Sequence, residues 1–355
     1  MDKNKVVCPD CEGGEFNLDR RGFLRVAGAA AAAALPLGAA ARVVAAPSPK
    51  SAPETAVKAL YETLDDKQKK EICFAWDHKD TRGLLRTHVS NNWQVTKQHI
   101  RAKKGDPEFY TDEQRRIIYD IFKGLLSPEY EKQVVKQLKD DTGGAEWGAE
   151  QSIAIFGKPG DDKFEFVMTG RHLTLRADGN SEKHVAFGGP IFYGHAASGF
   201  TEKKGHPGNV FWHQAQEADK VYAMLSGKQQ EKALVKKLPK ESAVAFRGDK
   251  GGFPGIAVTE FSADQKKELQ RVLSVLLEHY RKDDQDEALE CLKKQGGLDK
   301  CSLAFYEEGH SGDDKEWDTW RVEGPAFVWY FRGTPHVHVW VNVADDPSVE
   351  TNAKG

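Results

Sequence analysis

The residues best suited to chemistry lie near the end of the chain, in Thr334-Pro335-His336-Val337-His338-Val339-Trp340-Val341. Alternate side chains of an extended strand share a face. His336, His338 and Trp340 therefore point one way and Val337, Val339 and Val341 the other. The valines belong in a core, which leaves two imidazoles one pleat repeat apart, close enough for both to bind one cation. Imidazole suits zinc, copper or iron, and a third ligand is needed for useful affinity. Without that third ligand the pair reads as two histidines hydrogen-bonded on a sheet surface.

The chain has 12 histidines, so third ligands can be ranked. His172 follows Gly170-Arg171 and opens an expected strand, His172-Leu173-Thr174-Leu175, which can neighbour the first in one sheet. His213 and Glu217 are four apart on an expected helix and so share a face, as a ligand or general-base pair or as a plain surface hydrogen bond. His310, in Glu307-Glu308-Gly309-His310-Ser311-Gly312, sits on a loop where it could act as acid or base. His195 and His206 flank the loop 194–208 and could line a cleft. His78, His88, His99, His184 and His279 show no partner pattern. HExxH and GxSxG are absent, as is a catalytic-cysteine context. Adjacent acids such as Asp161/Asp162 and Asp313/Asp314 read as solvated loop residues.

These groups have to be positioned by elements whose starts are visible. Leu64-Asp65-Asp66-Lys67-Gln68, Leu225-Ser226-Gly227-Lys228-Gln229 and Phe261-Ser262-Ala263-Asp264-Gln265 each join an apolar residue, a cap and a Gln that reaches back. Leu126-Ser127-Pro128-Glu129 is a relative with Pro at the first helical position. Strands are expected at Ser152–Gly157, Lys163–Thr169, His172–Arg176, Cys301–Tyr306, Thr319–Val322, Ala326–Arg332 and His336–Val343, and glycine-punctuated loops at 188–208 and 247–255. The pattern implies an α+β fold with a mainly antiparallel sheet and several flanking helices. No Rossmann fingerprint or phosphate-binding loop is present.

The first residues carry an address. Asp19-Arg20-Arg21-Gly22-Phe23-Leu24-Arg25 precedes an apolar, Ala-rich run from Val26 to Ala41, the arrangement of a twin-arginine export signal. The run is short and rich in small residues for a membrane span, which needs about 20 strongly apolar residues. Val44-Ala45-Ala46 before Pro47 reads as a peptidase site. The expected organisation is thus a signal peptide at 1–46, a linker at 47–54 and one domain at 55–355, periplasmic or extracellular, with the translocase as partner of the leader. With 51 Lys and Arg interspersed among 54 Asp and Glu, no basic stripe suggests a nucleic acid, and no later run suggests a membrane span. Cys8-Pro9-Asp10-Cys11 falls in the leader. Cys291 and Cys301 could close a short loop around Gly296-Gly297, leaving Cys73 buried among apolar groups.

Several segments together resemble an exported family, domain of unknown function 3500. They are Gly170-Arg171-His172-Leu173-Thr174-Leu175, Gly189-Pro190-Ile191-Phe192-Tyr193-Gly194, Glu217 before Ala223-Met224-Leu225-Ser226, Arg321-Val322-Glu323-Gly324-Pro325-Ala326-Phe327, and His336-Val337-His338-Val339-Trp340. Cys73-Phe74-Ala75-Trp76 and Asn92-Trp93 also fit. The resemblance implies one domain over most of the chain and singles out His172, His336 and His338, without implying a reaction. Arg171 stands where the family tends to show a second histidine, and Val341-Asn342 where an Arg-Asp pair is usual. The tail Val349–Gly355 also departs from the family's ending. If Arg-Asp serves the chemistry elsewhere in the family, this member binds without turning over.

The resulting expectation is an exported metal protein holding zinc, copper or iron on His172, His336 and His338, with Glu217, His213 or His310 in catalytic support. An open fourth position would give Lewis-acid or hydroxide chemistry, and copper or iron would favour oxidation of a small-molecule or polymer substrate. The rival readings are a metal-free secreted hydrolase and a non-catalytic envelope or binding protein.

Overall fold

The computed structural model describes residues 46–196, 209–310 and 316–353. The leader expected at 1–46 therefore lies, up to residue 45, outside the described residues, as does His206. In chain order the elements are helices α1 (Ala52–Thr63) and α2 (Asp66–Ile72), strands β1 (Cys73–Phe74), β2 (Lys79–Asp80) and β3 (Gly83–Leu84), then helices α3 (Asp112–Gly124) and α4 (Glu131–Asp141). Next come strands β4 (Gln151–Gly157), β5 (Phe164–Gly170), β6 (Leu173–Ala177) and β7 (Ile191–His195), helices α5 (Trp212–Met224) and α6 (Gly227–Ala233), and strands β8 (Leu234–Val235) and β9 (Ile256–Ala257). Helices α7 (Ala263–Leu277) and α8 (Lys282–Lys294) precede β10 (Ser302–Tyr306), β11 (Thr319–Gly324), β12 (Phe327–Arg332) and β13 (Val337–Val343).

All strands but β2 and β3 join one 11-stranded sheet, ordered β1-β4-β5-β6-β7-β13-β12-β11-β10-β8 with β9 also on β10. The architecture is α+β, but the sheet is mixed rather than mainly antiparallel. β1 runs parallel to β4 and β8 parallel to β10. Parallel neighbours require long crossovers. Here α3 and α4 lie between the first pair, and α7 and α8 between the second. Strands of two residues are too short to betray their direction by periodicity.

Each face of the sheet has a different cover. Val337, Val339, Val341 and Val343 enter the large core with Phe327, Trp329 and Phe331 and the helix residues Val221, Leu269, Leu273 and Leu276. Phe192, Val328, Tyr330 and Trp340 face the other way, under loop residues Val89 and Val244 and the late Ala353. Burying a valine contributes roughly 1.5–3 kcal/mol. A one-residue slip would expose the whole valine set, so the register is strongly held. That register fixes where His336 and His338 point.

The capping devices form as the sequence implies. Asp65 and Gln68 exchange side-chain and backbone hydrogen bonds, as do Ser262 and Gln265, and Gln229 accepts from the Ser226 N–H. Thr111 and Gln114 form a further box at α3. The helix expected at Pro128 begins later, at Glu131. Helix α1 starts at Ala52, within the expected linker, and its buried Glu54 carboxylate accepts from both terminal nitrogens of Arg281 at 2.6 and 2.9 Å. Among the described residues the cysteines are unpaired, so the Cys291–Cys301 bridge that the spacing left open does not form. Cys291 is turned toward the His184 carbonyl, and Cys301 Sγ accepts from Gln295 at 3.6 Å. Cys73 is half-buried, where full burial was expected. Among the described residues no helix is long and apolar enough to cross a membrane.

One buried histidine makes the fold acid-sensitive. His279 is packed against Tyr193, Tyr280 and Phe211, and burial pushes its pKa down to about 3. An unfolded chain takes up that proton near the usual 6.5. Between these values the unfolded state binds more protons, so stability falls as pH drops from 6.5 toward 3. One such ring costs about 2 kcal/mol at pH 5. Urea unfolding at pH 5 and pH 8 checks this, since His279→Phe is expected to narrow the gap between the two by about that amount.

Candidate functional site

His336 and His338 lie on the loop-covered face of the sheet, as the alternation implies, and both are nearly fully buried. The turn before them contains the cis Thr334–Pro335 peptide. Their Nε2 atoms are 2.9 Å apart.

His172 reaches them from another hairpin. Gly170 pairs with Leu173, so Arg171 and His172 form a two-residue turn, with His172 in the left-handed region at φ 55°. It therefore sits on the turn before β6 rather than opening the strand. Strand β7 supplies the route across. It pairs with β6 on one side and with β13 on the other, placing Gly194 directly opposite His338. A side chain on Gly194 would begin 2.3 Å from the Val337 carbonyl oxygen and 3.4 Å from His172 Cδ2. Glycine thus leaves room for the Val337 carbonyl, with the His172 ring packed alongside. His172 Nε2 lies 3.1 Å from His338 Nε2, and one ring nitrogen from each of His172, His336 and His338 falls within 4.8 Å of the other two.

Two carboxylates determine how these rings can be protonated. Asp141, the last residue of α4, lies 2.9 Å from His172 Nδ1, and Glu241 contacts His338 Nδ1. An ionised carboxylate only accepts, so each Nδ1 must carry the hydrogen. In the neutral rings that leaves both Nε2 atoms as bare lone pairs aimed at each other. Only a proton or a metal ion between them relieves that contact. Burial above all opposes the proton, and although the Glu241 hydrogen bond counters it, the charge of Arg332 helps bring the His338 pKa down to about 3.

The carboxylates are themselves held as anions. Burial alone would raise the Asp141 pKa, but the His172 hydrogen bond, the Ala196 N–H at 2.7 Å and Gln137 at 2.6 Å outweigh it and lower it. Burial likewise works against the Glu241 anion, yet His338, Arg332 and Trp340 bring its pKa down to about 2. Trp340 Nε1 donates to Glu241 at 2.9 Å and Arg332 at 3.1 Å. Bonds of about 2.0–2.1 Å from one ion to two imidazole nitrogens put those nitrogens about 2.9–3.4 Å apart. The two observed separations fit, and a carboxylate behind a ligating imidazole is the usual support of such sites. The buried three-histidine group can hold a metal ion.

The other candidates are engaged elsewhere. Glu217 pairs with Lys220 at 2.6 Å and with Arg271, and His213 Nε2 lies 2.8 Å from Glu278. His310 stacks at 4.7 Å on Trp317, its Nδ1 3.7 Å from Asp318. None of the three joins the histidine group. His195 is buried at the end of β7, 3.5 Å from Asp140. Sequence reasoning did not single out Asp141, Glu241 or Arg332. Asp141 looks like an ordinary helix-terminal acid, and Glu241 lies in a loop without periodicity. Arg332 alone carried a signal, as a cation closing a strand of buried aromatics.

A family model described as protein of unknown function (DUF3500) matches residues 47–345. Neither a curated protein nor a solved structure matches the chain.

Proposed function

The chain belongs to the DUF3500 family, and we propose that it is an exported metal-binding protein whose His172, His336 and His338 hold one divalent transition-metal ion. The observation that carries this reading is the convergence of the three imidazoles, with the other nitrogens of His172 and His338 committed to Asp141 and Glu241. Such an ion supplies Lewis-acid activation if it is zinc, or one-electron chemistry if it is copper or iron. The protein's own part is to fix the three rings, exclude water and keep His172 and His338 in the Nδ1–H form. Acid–base roles for Glu217, His213 and His310 are not required by this reading, because each is tied to a neighbour outside the group.

The export half of the proposal is supported by Arg20-Arg21-Gly22-Phe23-Leu24 and the apolar run behind it. A route that carries folded proteins allows the ion to be loaded before transport. Metal analysis of the chain recovered from a periplasmic fraction tests both halves. About one equivalent of a transition metal is expected, and less than about 0.2 equivalents, unrestored by added zinc, copper or iron, removes the metal reading. A chain confined to the cytoplasm removes the export reading.

A further inference from the structure

We infer that the cleft between Trp76 and the segment 182–184 is a carbohydrate-binding site that takes a neutral pyranose ring. The inference goes beyond the metal reading and does not rest on it, because His172, His336 and His338 do not line this cleft. Its walls come from stretches far apart in the chain. Trp76 and Asp77 follow β1, Lys79 lies in β2, Glu182 and Lys183 follow β6, and Glu350 belongs to the tail after β13. Together they enclose about 350 Å3, within the range of about 300–1,000 Å3 usual for small-ligand clefts.

The indole gives the cleft an apolar wall held in a fixed position. Trp76 is half-buried and packs against the cluster that contains Leu85, Trp93 and Phe156. The Arg86 guanidinium lies 3.9 Å from its ring centroid and is itself anchored by Glu165 at 2.9 Å and Glu182 at 2.8 Å. The exposed Lys163 also reaches over the ring, at 5.4 Å, and its flexible stem lets a ligand displace it. An indole fixed in this way offers contact area at little cost in conformational entropy. The carbon-bound hydrogens on one face of a sugar ring are the apolar surface that suits it.

The polar groups beside the indole select a sugar over an ion or a hydrocarbon. A hydroxyl both donates and accepts, so a ring that carries several needs acceptors and donors side by side. The cleft presents both. Glu182 gives one oxygen to Arg86, and its other oxygen has no protein partner, on a side chain 26% exposed. Arg86 Nε–H has no acceptor, and a slight side-chain adjustment on binding completes it. Asp77, Lys79, Lys183 and Glu350 are exposed and form no ion pair among the described residues, so their heads are available to hydroxyls. An anion would meet Asp77, Glu182 and Glu350, and a cation would meet Lys79, Arg86 and Lys183. A hydrocarbon would take water from all of them without replacing its hydrogen bonds.

The test titrates the full chain, by ligand-observed NMR, with the methyl glycosides of glucose, galactose, mannose, xylose and N-acetylglucosamine. Sorbitol serves as a polyol with the hydroxyls but no ring face. At least one glycoside is expected to bind with a Kd below about 10 mM, and sorbitol at least about fivefold more weakly. Trp76→Ala is expected to weaken that glycoside at least about fivefold. Binding of no glycoside below about 10 mM overturns the inference, and so does a sorbitol affinity within about fivefold of the best glycoside. A folded Trp76→Ala chain that loses less than about fivefold also overturns it. Should that variant not fold, the exposed pair Lys183→Ala and Glu350→Ala decides in one chain, since surface changes of this kind leave the fold intact. The double variant is expected to weaken the glycoside at least about threefold, and a smaller loss places the sugar elsewhere.

Discussion

Exchanging His338 for alanine is expected to abolish metal binding while changing the metal-free protein comparatively little. His338 Nε2 lies 3.1 Å from His172 and 2.9 Å from His336, so it is the ligand shared by both close contacts. Losing a residue behind a ligand weakens metal binding 10–100-fold, and losing the ligand itself exceeds that. An ion present at about 1,000 times its dissociation constant stabilises the native state by about 4 kcal/mol. In the variant that gain disappears. In the metal-free chain two effects oppose each other, since a lost ring leaves a cavity but relieves the facing lone pairs. Glu241 keeps Trp340 and Arg332 as donors. Thermal melts with and without added zinc check this: wild type should rise by on the order of 8 °C and the variant by less than about 1 °C. Equal shifts in both would place the ion elsewhere.

Glu241→Gln should weaken metal binding about 10–100-fold without removing any ligand. The amide oxygen can still accept from His338 Nδ1–H, so ring orientation survives. What is lost is the negative charge that makes the imidazole a better donor to the ion and balances Arg332. Breaking a buried pair by neutralising one partner costs more than the pair itself contributes. Competition for zinc against a chelator of known affinity measures the loss, and an affinity within about threefold of wild type would show that Glu241 does no more than anchor its loop. Asp141→Asn provides the parallel case at His172, with the same expected sign.

Much of this was legible where a short period carries the information. The valines of β13 alternate with His336, His338 and Trp340, and burial of the valines alone fixes the imidazoles on the opposite face. Caps at Asp65, Ser226 and Ser262 were legible because a cap and a Gln three residues later satisfy each other locally. Illegible was Ile191–His195, which reads as a glycine-punctuated loop yet forms β7 between β6 and β13. Gly194, which suggests a loop, is the residue whose missing side chain leaves room for the Val337 carbonyl of the neighbouring strand. The carboxylates were illegible for a different reason. Asp141 and Glu241 meet their histidines 31 and 97 residues away in sequence, a proximity that only the assembled sheet creates.

Strands β4 to β7 form one run of antiparallel neighbours and β10 to β13 another, and the two are joined within the sheet only along the β7–β13 ladder. His172 belongs to the first run and the His336–His338 pair to the second. A bound ion would therefore rivet the sheet along its central joint. Shear that peeled β7 from β13 would have to rupture coordinate bonds as well as amide hydrogen bonds, so the occupied chain should resist pulling across that joint more than the empty one.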